Sequence, residues 1–342
     1  MKLRLFVLLM IPIFIFSNPP HNYTWGQFEI LQPTERKPAR TLVLVVTSPD
    51  DTLDLRNYRD CRWVLGKKVW EQYMDSHPNV DCYFLQNAKL REGTSEQIWI
   101  EGNTIYVGEE GYKDHGIPVR KTIIALEKLL PHYTHFFRTN VNAFVNLKQL
   151  NEYAETHHQS MYTGPLWQLP FWYLLGYGLL FSSDVAAHIV SEYRRLEGSY
   201  LASHYPPEDL VLTALATGIF PYYDYIGEHN LQQGFIKKDL KFTLCPSLPF
   251  GVRQLMCGAS YSTTRLSLYG VQLSPVPSFE EAIEYCKVSL SQAILYRMRS
   301  GYDLDKFAEL YQFLLDNIYP DLPKVDLIEF AKTLPTIRYD NS

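Results

Sequence analysis

Apolar positions along this chain follow two alternating rhythms. Thr41-Leu42-Val43-Leu44-Val45-Val46 is a continuous, largely β-branched run closed by Thr47-Ser48-Pro49-Asp50-Asp51. That pattern predicts a central strand buried on both faces, with a turn at its carboxyl end. Residues 54–75 read as a helix, and Asp81–Leu85 and Thr104–Val107 as two further strands. Val119, Ile123, Leu126 and Leu130 then keep helical spacing behind Pro118, a residue suited to a first helical turn. Thr134–Phe137 follows as the next strand, and a second half begins near Met161. There Tyr173–Phe181 reads as a strand, and Ser183–Leu196 as a helix with a serine cap and Asp184 in its first turn. Pro207-Glu208-Asp209 opens another helix, and from about Ser278 the spacing predicts helices near 279–299, 303–318 and 325–333.

Strands alternating with helices predict an α/β domain built on a mostly parallel, doubly wound sheet, which binds its ligands outside the carboxyl ends of its strands. The turns at Ser48 and Asn140 fall there. A chain of 342 residues that is 46% apolar and 14% aromatic can bury a sizeable core. Its net charge of −5, without long like-charge runs, gives no footprint for nucleic acid.

The first residues change the picture. Met1-Lys2-Leu3-Arg4 precedes an apolar run from Leu5 to Phe16, broken by Ser17-Asn18-Pro19-Pro20. The run is short of the roughly 20 residues that span a bilayer, so residues 1–17 read as a signal sequence or short anchor, and as the one membrane contact. Export into the secretory pathway is therefore expected, to the Golgi or endoplasmic reticulum lumen or beyond. Residues 18–40 read as a stem, 41–275 as the main domain and 276–342 as a helical C-terminal extension. The sequon Asn22-Tyr23-Thr24 is in keeping with a lumenal location. Five cysteines contain no CxxC; Cys61 with Cys82 and Cys245 with Cys257 are open as pairs.

Several motifs recur in a fixed order. Arg56 and Trp63 are spaced as in an Arg-x-x-Ile-Arg-x-Thr-Trp element, and Tyr112 and Asp114 precede Lys121-Thr122 at the head of a helix. The strand Phe136-Phe137-Arg138 runs into Thr139-Asn140-Val141-Asn142-Ala143-Phe144-Val145-Asn146. Tyr173-x-x-Gly176-x-Gly178-x-x-x-Ser182 leads to Asp184-Val185, and Glu208-Asp209-Leu210-Val211 follows. In this order the motifs resemble those of β-1,3-glycosyltransferases of the galactosyltransferase and fringe type.

The resemblance implies a GT-A-like domain. It also implies an inverting transfer of a hexose or N-acetylhexosamine from a nucleotide-sugar, expected to be a UDP-sugar, to a hydroxyl of a glycan or glycoprotein. Asp209 is the implied catalytic base, because an inverting transfer needs one carboxylate to take the acceptor's proton. Neighbouring Glu208 would raise its pKa by like-charge repulsion. Ser48, Arg56, Lys121, Arg138, Asn140, Asn142, Gly176, Gly178 and Glu208 are the implied substrate-binding residues.

Such enzymes hold manganese on an Asp-x-Asp turn, and here that turn reads Asn140-Val141-Asn142. Each lost carboxylate removes on the order of several kcal/mol of attraction for a divalent ion. Asn142 is the expected contact if Mn2+ binds at all; lysine, arginine and backbone amides are the alternative counter-charge for a diphosphate. The alternative function is a catalytically inactive relative, a chaperone or glycan-binding module. Absence of Gly-x-Ser-x-Gly, HExxH, P-loop and strand-linked GxGxxG signals removes support for hydrolases, zinc proteases and kinases.

Overall fold

The computed structural model describes residues 35–90, 98–108, 118–164, 166–168, 172–174, 176–196, 208–217, 278–291, 293–297 and 302–335. The expected leader, most of the stem, Tyr112, Asp114, Pro207, Cys245 and Cys257 lie outside these. In chain order the elements include β1 (Thr41–Val46), α1 (Tyr58–Tyr73), β2 (Val80–Ala88), β3 (Ile98–Glu101), β4 (Thr104–Gly108), α2 (Pro118–Leu129) and β5 (His135–Asn140). After them come β6 (Ala143–Val145), α3 (Leu147–Ala154), β7 (Tyr162–Thr163), β8 (Leu166–Gln168), β9 (Trp172–Leu174), β10 (Leu179–Ser182) and α4 (Ser183–Leu196). The last are α5 (Glu208–Thr217), α6 (Phe279–Ser289), β11 (Leu295–Arg297), α7 (Leu304–Ile318) and α8 (Leu327–Thr333).

Seven strands form one sheet in the order β3-β4-β2-β1-β5-β10-β7. β1 lies parallel between β2 and β5, β4 extends the parallel part, and β10 enters antiparallel beside β5. The unbroken apolar run of β1 is explained by its position. Val43 and Val45 face a core shared with α1, α6, α7 and α8, whereas Leu42, Leu44 and Val46 face a second core shared with α2, α4 and α5. Both faces are covered, so the mostly parallel, doubly wound α/β architecture read from the sequence is present.

Three elements differ from the sequence reading. α1 starts at Tyr58, where the Asn57 side chain accepts the Arg59 N–H at 2.8 Å and so caps the first turn. The stretch Tyr173–Phe181 is not one strand, because the backbone turns at Gly176–Gly178 between β9 and β10. Residues 279–299 are not one helix either: α6 ends at Ser289, and Leu295–Arg297 pairs antiparallel with β6. β3 and α3 add elements the pattern did not announce. Cys61 and Cys82 are both buried free thiols, so the pairing left open between them is not made. Among the described residues no helix is long and apolar enough to cross a membrane.

His135 opens β5 at the sheet's amino edge and is fully buried. Its Nε2 donates to the His157 carbonyl at 2.7 Å, and burial lowers its pKa, as it does for His157. Unfolded imidazole, with a pKa near 6.5, takes up its proton first on acidification. The stability contributed by these neutral rings is therefore fully present above about pH 6.5 and is lost as pH falls toward their lower folded-state values. Urea midpoints measured at about pH 7.5 and 5.5 should drop on acidification in the wild type, and drop less in His135→Gln. An equal drop in both proteins would remove His135 as the cause.

Candidate functional site

The site grows from the carboxyl ends of β1 and β5, where the strand order switches. β1 connects through α1 on one face to β2, and β5 is reached through α2 on the other, which is the arrangement that opens a crevice between two strands. Val46 and Asn140 lie opposite each other, and the Val141 N–H continues the ladder to the Val46 carbonyl at 3.3 Å. α1 seats its backbone against this turn: a Cβ at Gly66 would stand 2.6 Å from the Val141 carbonyl oxygen. Only glycine allows that approach, so helix and turn hold each other in place.

Just beyond β1 the buried Lys121 donates from Nζ to the Thr47 carbonyl at 3.0 Å, which carries its charge to the mouth of the crevice. The Ser48 carbonyl accepts from Gln86 Nε2 at 2.9 Å, so the Ser48 turn is fixed by the end of β2. Arg56 lies in the connection between β1 and α1. Its guanidinium is almost fully exposed and paired with Asp54 at 2.9 Å.

Beneath the crevice lies a closed polar cluster. Arg138 on β5 donates from Nε to Glu208 Oε1 at 3.1 Å and from a terminal nitrogen to Glu208 Oε2, and both side chains are buried. Thr122 donates to the same carboxylate at 2.6 Å. The other terminal nitrogen of Arg138 donates to Asn140 Oδ1 at 2.6 Å and to the Gly176 carbonyl. Two of the implied binding residues, Arg138 and Glu208, thus neutralise each other and form the floor on which Asn140 and the glycine turn rest.

Asp209, one residue further along α5, is partly exposed, and its Oδ2 accepts the Gly176 N–H at 3.2 Å. Gly176 is wedged between the two charged groups: a Cβ there would meet an Arg138 nitrogen at 3.0 Å and the Asp209 Cβ at 3.1 Å. Gly178 is also held closely, since a Cβ on Gly164 would stand 2.6 Å from its carbonyl oxygen. Gly176 therefore serves close backbone packing between Arg138 and Asp209, and Gly164 the close approach to the Gly178 carbonyl. Burial, with the charges of Asp209 and Glu208 adding to it, pushes the Tyr162 phenol far up, so it stays protonated.

Among the described residues, the donor set at the Asn140–Asn142 turn does not fit a divalent cation. Among the described residues no group of three or more His, Cys, Asp or Glu could hold one. Asn140 Oδ1 already serves Arg138, and Lys121 places positive charge close by. Asn142 differs, because its Oδ1 is buried and has no hydrogen-bond partner.

Sequence reasoning missed two residues here. Tyr177 fills the glycine turn, and Arg297 on β11 sets its guanidinium 4.1 Å from the Tyr177 ring centroid. No local signal marks Arg297, since it enters through a three-residue strand far along the chain. The side chains of Trp167, Trp172 and Tyr173 lie outside the described residues.

No protein-family model matches this chain, and no curated protein matches it. Among solved structures it is similar to a glycosyltransferase involved in the glycosylation of the major capsid of PBCV-1, at 12% identity and a TM-score of 0.38, over 80% of this chain and 98% of that one. An identity this low assigns no residue roles, which come from the geometry alone.

Proposed function

We propose that this protein is an inverting glycosyltransferase of the secretory pathway, moving a hexose or N-acetylhexosamine from a nucleotide-sugar, with UDP as the expected carrier, to a hydroxyl of a glycan or glycoprotein. The observation that carries this reading is Asp209, a partly exposed carboxylate oriented by the Gly176 N–H beside the sheet's switch point. In the reaction the acceptor oxygen forms a bond to the anomeric carbon while its proton passes to Asp209. The bond from that carbon to the diphosphate breaks, and the nucleoside diphosphate leaves with the electron pair. Lys121 at the Thr47 carbonyl is a counter-charge for that leaving group. Binding and turnover across a panel of nucleotide-sugars, with and without manganese, tests the assignment. A protein that neither binds nor hydrolyses any of them is not this enzyme.

A second reading, a non-catalytic glycan-binding or chaperone relative, is favoured by Asn140, whose oxygen is engaged by Arg138 inside the protein. It predicts no turnover with any donor.

A further inference from the structure

We infer that Thr122 and Arg138 are positioning residues for Asp209, an inference that rests on the reading of Asp209 as the base. A closed circuit of hydrogen bonds leads there. Thr122 Oγ1 donates to Glu208 Oε1 at 2.6 Å, and Arg138 Nε donates to the same oxygen at 3.1 Å. One terminal nitrogen of Arg138 holds Glu208 Oε2, and the other holds the Gly176 carbonyl. Gly176 in turn donates its N–H to Asp209 Oδ2 at 3.2 Å, and Asp209 is joined to Glu208 by the chain itself. The carboxylate is therefore fixed from two sides, by its own helix α5 and by the Gly176 backbone, and Arg138 sets the distance between them. There is no slack in the circuit, since a Cβ on Gly176 would stand 3.0 Å from an Arg138 nitrogen and 3.1 Å from the Asp209 Cβ.

Thr122 ties this circuit to the donor side. It is fully buried on α2, and the residue before it, Lys121, reaches the Thr47 carbonyl just beyond β1. Its hydroxyl has one proton, and at 2.6 Å that proton goes to Glu208 rather than to the carbonyls of its own helix. Two adjacent residues of one helix thus hold the counter-charge for the leaving diphosphate and, through Glu208, Arg138 and Gly176, the carboxylate that takes the acceptor's proton. Reacting groups displaced by about 1 Å lose about 100-fold in rate, so a rigid link between the two acts directly on turnover. Stability alone does not call for the cluster, because a buried ion pair contributes little beyond an apolar pair of the same volume. A fully satisfied buried network supplies a single geometry instead.

Release of UDP from a panel of UDP-hexoses and UDP-N-acetylhexosamines by the full chain, with UDP affinity measured by calorimetry, tests this. Thr122→Val keeps the shape and removes the hydroxyl; it should lower kcat by about 10- to 100-fold and leave UDP affinity and the donor's KM within about twofold. The acid limb of kcat/KM should also move to higher pH, because a carboxylate held less firmly by the Gly176 N–H takes up its proton sooner. Thr122→Ser restores the hydroxyl and should return kcat to within about threefold of wild type, with the limb back in place. Arg138→Lys keeps the charge of the pair without the fork that reaches Gly176, and should split kcat from KM in the same way. If Thr122→Val does not fold, Arg138→Lys decides. Wild-type kcat and limb in Thr122→Val, or a loss that Thr122→Ser does not reverse, overturns the inference. Asp209→Asn, run beside them, separates the two failures: if it abolishes transfer while Thr122→Val does not lower it, only the positioning role falls. If Asp209→Asn keeps full transfer, or the wild type turns over no donor, the base reading falls and this inference with it.

Discussion

Replacing Arg138 with methionine, or Glu208 with leucine, is expected to destabilise the protein by about 3–5 kcal/mol, because either change strands a buried charge of the opposite sign. The pair is sealed from water, and each member holds more than the other. Arg138 also supplies donors to Asn140 and to the Gly176 carbonyl, and Glu208 takes the Thr122 hydroxyl. The double variant Arg138→Met with Glu208→Leu removes both charges together and should recover much of the loss, since a hydrophobic pair of similar volume avoids the desolvation cost. Urea midpoints for the two singles and the double give the coupling directly. Single variants that lose less than about 1 kcal/mol would show that water reaches the pair and that it behaves as a surface ion pair.

This pair also marks where the sequence stops being legible. β1, α2 and β5 were readable because each carries its signal locally: a continuous apolar run, an apolar face at helical spacing behind a proline, and a strand ending in polar turn residues. The Asn140–Asn142 turn and the glycine motif were readable as motifs, but the meeting of Gly176 with Asp209 depends on where α5 docks. Arg138 and Glu208 were each visible as charges, yet their mutual pairing depends on α5 docking its first turn over β5, and no spacing encodes that. The same holds for Arg297. Its stretch continues the apolar pattern of α6, and only the antiparallel edge offered by β6 turns three residues into a strand. Tertiary pairing overrode local pattern there, as it readily does for short segments.

Asp209→Asn is expected to lower sugar transfer by about 10²- to 10⁴-fold with the fold and nucleotide affinity intact, the loss typical of removing a positioned general base. The substitution is nearly isosteric, and an amide oxygen can still accept the Gly176 N–H that orients this side chain. What disappears is basicity, so kcat should fall with little change in the donor's KM. The pH profile supplies a sharper signature: wild-type kcat/KM should decline on acidification as the carboxylate protonates, and that limb should vanish in the variant. The like-charge repulsion expected between Glu208 and Asp209 is offset in the structure, because Arg138 compensates the Glu208 charge. Transfer retained within about tenfold by Asp209→Asn would assign the proton to another group, and would leave the aspartate as no more than an acidic residue in the first turn of its helix.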